Sequence, residues 1–285
     1  MQLHLIRHLW GVSLEGGWTA HLEKWRQVGY TGLEVSLRHL PAPAAFRRIL
    51  REEKWHWIPQ VYSNTFTPGG TVRAHFDSIK EQIEECLPES PLLFNAHSGS
   101  DAWGADEAVE FYGRCLELEK KIGIPVAHET HRGRYLNTPW KTRDLLEALP
   151  DLKLTCDFSH WVCVCERLLP DCESIIRLAA RACHHVHARV GYEQGPQVGD
   201  PRAPEYARHL AAHEEWWRLI WEMQVQQGFS YSTLTPEFGP PNYQQTAPYS
   251  QKPVADVAEI CDWMAERQKT RFLEMGRTLS SGPGH

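Results

Sequence analysis

The stretch DEAVEFYGRCLELEKKIGIPVAHET, residues 106–130, contains a helix, a stop and a strand in immediate succession. It opens on acidic residues, and its first part closes on Lys120, Lys121 and Gly123. An acidic start, a basic end and a glycine stop are what the helix dipole and a left-handed C-cap favour. The apolar run IPVAH follows at once and ends on Glu129. A helix feeding a short apolar strand is half of a βα repeat.

Outward from that unit the pattern recurs. Towards the C-terminus, LKLTCDFSH (152–160) leaves its strand on Asp157, CHHVHARV (183–190) on His187 and YSTLTPEFG (231–239) on Glu237. TRDLLEALP, ESIIRLAARAC and the long PEYARHLAAHEEWWRLIWEMQVQQG separate them as helices, and DVAEICDWMAERQKTRFLEMG follows the last strand. Towards the N-terminus, LHLIRHL (3–9), TGLEVSL (31–37), WHWIPQVYS (55–63) and PLLFNAHS (91–98) read as strands, with helical patterns at 18–29, 43–53 and 71–86. Eight strands, each followed by a helical segment, predict an α/β chain folded as a closed parallel (β/α)8 TIM barrel. An open doubly wound sheet would not bring the last four strands round one centre. One domain is expected over residues 1–277, with a disordered tail at 278–285.

The four polar strand ends lie 28, 30 and 50 residues apart, close to one, one and one and a half βα units. In such a barrel the C-terminal ends of the strands converge on one mouth. Three carboxylates and an imidazole meeting there repel one another unless a cation holds them. Glu129, Asp157, His187 and Glu237 are therefore expected to bind one divalent metal ion. Within HHVH, strand alternation puts His185 and His187 on one face and His184 on the other. His187 is nearer the strand end. Asp157 has an ordinary alternative role as a helix cap.

Composition narrows the function classes. A net charge of −6 opposes a nucleic-acid partner. The apolar runs are too short to span a bilayer, and MQLHLIRHLW lacks the layout of a secretion signal, so a cytoplasmic, non-membrane protein is expected. The eight cysteines form no C-x-x-C pair and are expected to be reduced thiols.

The motifs AHETHR, LTCDFSHW, HVHARV and TPEFG resemble those of the xylose-isomerase-like barrels, a group that includes ketose 3-epimerases, inosose dehydratases and AP endonucleases. Nearly the whole chain follows that layout. The resemblance implies the same four metal ligands, a manganese, cobalt, magnesium or zinc ion, and a substrate contact for His160. It departs after the histidine strand: Glu193 stands where ketose epimerases usually carry an arginine, and Arg189 lies two residues after His187.

The expected activity is a metal-dependent sugar or polyol isomerase or epimerase. A divalent ion chelating adjacent oxygens of a hydroxy-ketone acidifies the neighbouring C–H and stabilises an enediolate. Glu129 and Glu237, on different sides of the mouth, are the expected acid–base pair. His97, His131, His160 and Arg189 are expected to bind substrate, with Arg132 beside them. Trp10 is expected to stack on a sugar face, and Trp103, Trp140 and Trp161 fall in loops near the same mouth. The alternative is a lyase or dehydratase that begins with the same proton abstraction. An AP-endonuclease-type phosphodiesterase ranks below both, because no Asp-x-His follows His187. The expected partner is a small sugar or polyol, and the reading leaves room for a homo-oligomer.

Overall fold

The computed structural model describes residues 1–15, 17–63 and 70–280, with side chains to residue 278. Its strands are β1 (Gln2–His8), β2 (Tyr30–Glu34), β3 (His56–Ile58), β4 (Gln60–Tyr62), β5 (Phe94–His97), β6 (Val126–Glu129), β7 (Lys153–Cys156), β8 (Cys183–His187) and β9 (Tyr231–Thr235). They form one parallel sheet in the order β3-β2-β1-β9-β8-β7-β6-β5-β4. The sheet closes into a (β/α) barrel, and its two ends are the two halves of one broken strand.

That break accounts for nine strands where the sequence predicts eight. Pro59 stands in the middle of WHWIPQVYS and has no N–H to donate. β3 pairs with β2 and β4 pairs with β5. The backbone stays continuous across the proline: Val35 N donates to Ile58 O at 3.4 Å, Gln60 N to Val35 O at 3.4 Å, and Asn95 N to Pro59 O at 3.0 Å. The strand changes partner at Pro59 and closes the ring.

The outer layer contains α1 (Trp18–Val28), α2 (Pro43–Glu53), α3 (Val72–Cys86), α4 (Ala105–Ile122), α5 (Pro139–Ala148), α6 (Phe158–Cys165), α7 (Glu173–Ala182), α8 (Ala207–Gln226) and α9 (Val257–Ser280). α4 begins with Glu107 Oε2 accepting from Gly104 N at 3.0 Å and ends at Gly123, with φ 70°. The tail expected at 278–285 begins inside α9, and residues 281–285 lie outside the described residues. α6 is not apparent from the pattern, because FSHWVCVC is mostly apolar and shows no helical stripe. A continuous apolar cluster fills the space between strands and helices, with Trp161, Trp217 and Trp221 fully buried. All eight cysteines are free. No helix among the described residues is long and apolar enough to cross a membrane.

Candidate metal and substrate site

The strand ends deliver their polar residues to one place. Donor atoms of Glu129, Asp157, His187 and Glu237 all lie within 4.8 Å of one another, and all four residues are buried. Glu129 and His187 are the last residues of β6 and β8, Asp157 follows β7, and Glu237 stands two residues past β9. Asp157 is also the N-cap of α6: its Oδ1 accepts from Ser159 N at 3.0 Å and from Ser159 Oγ at 2.5 Å. The cap uses Oδ1, and Oδ2 faces Arg189.

His187 is the centre of the cluster. Its Nδ1 lies 3.0 Å from Glu237 Oε2 and 3.7 Å from Glu129 Oε1, yet neither His187 Nδ1 nor Glu129 Oε1 has a hydrogen-bond partner among the described residues. Buried donor atoms that sit side by side without bonding to each other suit a shared cation better than a hydrogen-bond network. Burial would lower the His187 pKa, but Glu237, Glu34 and Glu129 raise it well above the ordinary histidine range. The residues fit a divalent ion.

The other carboxyls differ from one another. Burial pushes Glu129 up to about 7. Burial also acts to raise Glu237, but the adjacent His187 and Arg189 hold it well below the usual carboxylate range. Arg189 is buried; its guanidinium contacts Asp157 Oδ2, lies 3.4 Å from Glu237 Oε2 and 2.7 Å from His160 Nε2. The His160 ring lies tilted against His131 with centroids 3.9 Å apart, and the His131 and His97 ring centroids are 5.4 Å apart. Burial lowers the pKa of all three imidazoles, which leaves them neutral hydrogen-bonding groups. His97 Nε2 lies 3.0 Å from Glu129 Oε2, and His97, Glu129 and His131 form a second close group of donors.

Sequence reasoning missed Glu34. This fully buried carboxylate ends β2 directly behind His187. Glu34 Oε1 lies 2.9 Å from His187 Nε2, and Oε2 lies 3.2 Å from His185 Nε2. Oε2 accepts from Thr235 Oγ1 at 2.5 Å, and Oε1 accepts from Asn95 Nδ2 at 2.9 Å and Gln60 Nε2 at 3.3 Å. The same two amides reach the metal set: Asn95 Nδ2 donates to Glu129 Oε2 at 3.1 Å, and Gln60 Nε2 to Glu237 Oε1 at 3.3 Å. The available signal was the one that marked Glu129, an acid at the end of an apolar strand. In TGLEVSL the apolar residues continue past Glu34 and mask it.

A cavity of about 560 Å³ opens on this cluster, and Gln60, Tyr62, His97, His131, Arg134, Arg189, Glu237 and Tyr243 are among the residues that line it. Trp10 also lines it and meets Tyr243 edge-on at 4.9 Å. The remaining mouth tryptophans lie elsewhere. Trp103 packs on His75 and Phe111, and Trp161 is buried with Nε1 donating to Leu136 O at 3.0 Å. Trp140 lies under Arg167. Glu193 is also outside the cavity lining; it pairs with Arg208 at 3.0 Å and His209 at 2.8 Å.

A family profile described as xylose isomerase-like TIM barrel matches residues 22–216. The chain belongs to that family. No curated protein matches it. Among solved structures it is similar to a xylose isomerase-like TIM barrel protein from Mycobacterium smegmatis in complex with magnesium, at 12% identity and TM-score 0.62, covering 95% of this chain and 96% of that one. It is similar to D-allulose 3-epimerase from Methylomonas sp. in complex with D-allulose, at 13% identity and TM-score 0.60, over 95% and 97% of the two chains. A third is the probable 3-DHS dehydratase from Bacillus anthracis, at 15% identity and TM-score 0.61, over 94% and 99%. At these identities the likeness is one of fold. Other solved structures with this fold include a D-tagatose 3-epimerase-like protein and an AP endonuclease of family 2 from Brucella melitensis.

Proposed function

We propose that the chain is a divalent-metal-dependent enzyme that moves a proton at the carbon beside a carbonyl of a sugar or polyol, as an isomerase or epimerase. The observation that carries this reading is the convergence of four buried donors, Glu129, Asp157, His187 and Glu237, beside a cavity large enough for a small molecule. Those four residues would hold a manganese, magnesium, cobalt or zinc ion, which would polarise the substrate carbonyl and acidify the adjacent C–H.

The side chains supply the rest. β6 and β9 are separated in the sheet by β7 and β8, so Glu129 and Glu237 approach from different sides of the mouth. A proton taken by one carboxylate and returned by the other inverts the carbon between them. Arg189 ties Asp157 and Glu237 together and keeps their carboxylates oriented. His97, His131 and His160, neutral and close to one another, can hydrogen-bond to substrate hydroxyls. Three carboxylates, Arg189 and a divalent ion together leave the site near neutrality, which suits an uncharged substrate.

The test is exchange of the substrate's α-hydrogen with solvent deuterium across a panel of ketoses, inososes and 3-keto-sugars. Glu237→Gln and Glu129→Gln should each slow exchange by about 10²–10⁴-fold. Chelation should abolish it, and added manganese or cobalt should restore it. Unchanged exchange in both variants removes the two-carboxylate mechanism. An unsaturated product in place of an epimer assigns the chain to the lyases, which share the first step.

A further inference from the structure

The barrel has a second end, opposite the carboxylates. Ile6, Ile58, Leu93 and Ala127 form a small apolar cluster apart from the main core. Ile6 is on β1 and Ala127 on β6, with β9, β8 and β7 between them in the sheet, so these side chains meet across the barrel axis. Side chains two residues apart on a strand share a face. Two residues before Ile6 stands His4, and two before Ile58 stands His56. Both imidazoles therefore enter the same interior, one layer nearer the N-terminal ends of the strands. Their rings meet there edge to face, with centroids 4.4 Å apart, and the His4 ring lies 5.5 Å from that of Tyr231 at the start of β9.

The strands set both rings. Thr31 is the extra residue where the register of β2 against β1 shifts, between the pairs Leu5–Tyr30 and Ile6–Gly32. Its hydroxyl donates to Leu5 O at 3.5 Å and lies 3.2 Å from His4 Nδ1. With that one proton on Leu5 O, Thr31 Oγ1 accepts from His4 Nδ1, and the lone pair of the ring is on Nε2. Gly32 is the β2 partner of His56. A Cβ at position 32 would lie 2.6 Å from Ile6 Cδ1 and 3.0 Å from His56 Cβ, so those two side chains fill the space beside the glycine. The His56 ring and the Tyr231 hydroxyl hydrogen-bond to nothing among the described residues, and both residues are half-buried, within reach of an ion from solvent. Burial lowers the pKa of both imidazoles, and His56 lowers that of His4 further. Neutral imidazole is the form that binds a metal.

We propose that His4 and His56 form a second metal site, for a zinc- or copper-class divalent ion, at the N-terminal end of the barrel. It does not depend on the sugar reading. Imidazole suits such ions, whereas carboxylates suit manganese and magnesium. Zinc–nitrogen bonds of about 2.0–2.1 Å put two imidazoles on one ion with centroids about 5 Å apart. A small turn of the rings thus converts the observed contact into ligation. Tyr231 walls the third side, and water completes the coordination. The ion would join β1 to β3 across β2 and brace the half-strand that ends the sheet.

The test is zinc titration of the full chain against a chromogenic chelator. The chain should take up two equivalents of zinc. One belongs to the carboxylates and should be lost in Asp157→Asn. The other should be lost in His4→Asn and in His56→Asn, and kept in His97→Ala. Thr31→Val, which removes the partner of His4 Nδ1, should weaken that second equivalent by about 10–100-fold. Saturation at one equivalent overturns the site, as does a second equivalent that is lost in His97→Ala and kept in His56→Asn. Carbethoxylation of the unaltered chain, mapped by mass spectrometry, decides the matter if a variant fails to fold. Zinc should abolish modification of His56, and equal modification with and without zinc overturns the proposal.

Discussion

His187 carries two different neighbours on its two ring nitrogens. Nδ1 faces Glu237 and Glu129, while Nε2 lies 2.9 Å from Glu34. Burial alone would raise the Glu34 pKa, but His187 and His185 hold it well below the usual carboxylate range, so it is an acceptor. A carboxylate behind an imidazole fixes the proton on Nε2, leaves Nδ1 free for a cation and raises its basicity. Glu34→Gln should therefore lower divalent-metal affinity by about 10–100-fold, measured by competition with a chromogenic chelator. The metal-free melting temperature at neutral pH should fall, because the depressed pKa of Glu34 marks a carboxylate that its histidine neighbours stabilise in the fold. Affinity within two-fold of the parent would show that Glu34 does not act through His187. This residue also marks a limit of the sequence. Glu129 was legible because Thr130, His131 and Arg132 follow it, whereas Glu34 is followed by Val35. Gln60 and Asn95 are neutral amides inside strands, and nothing in their residue type announces that they link carboxylates.

Elements were legible where local chemistry and tertiary demand coincide. α4 has its acid, its lysines and its glycine, and it forms where the sequence predicts. α6 has none of these, and its existence depends on Asp157 capping it from the end of β7. The break at Pro59 was visible as a residue but not as a consequence, because only closure of the ring makes that strand change partners. The loop after β8 then braces α6. Gly191 passes so close to Ser159 that an added Cβ would lie 2.6 Å from its carbonyl oxygen and 2.8 Å from its Cα. Backbone cannot yield as a flexible side chain can, and Ser159 holds both Asp157 and Arg189. Gly191→Ala should destabilise the fold by about 1–3 kcal/mol in urea unfolding. It should also weaken metal binding, since Asp157 moves with its cap. A variant as stable as the parent and equally avid for metal would show that the contact gives way freely.

At the scale of the molecule, strands far apart in sequence close on one axis, and that closure makes two donor groups share Glu129. One is the set of Glu129, Asp157, His187 and Glu237, and the other is His97, Glu129 and His131. The second group raises the question of a two-metal phosphodiesterase, in which paired cations about 3.5–4 Å apart clamp the attacking and leaving oxygens. The whole-chain charge opposes that chemistry: at −6, the protein offers a polyanion no net attraction. An enzyme gripping DNA through several phosphates would lose affinity steeply between low and moderate salt. The proton-transfer reading needs one ion and no DNA. Metal titration should therefore saturate at one equivalent of manganese per chain, and His97→Ala should leave that stoichiometry unchanged while weakening substrate binding. At micromolar protein, no salt-dependent binding to an abasic duplex should be seen. Two bound equivalents, with nicking of the abasic duplex lost in both His97→Ala and Glu129→Gln, would instead make His97 a ligand of a second ion and replace the sugar reading with phosphodiester hydrolysis.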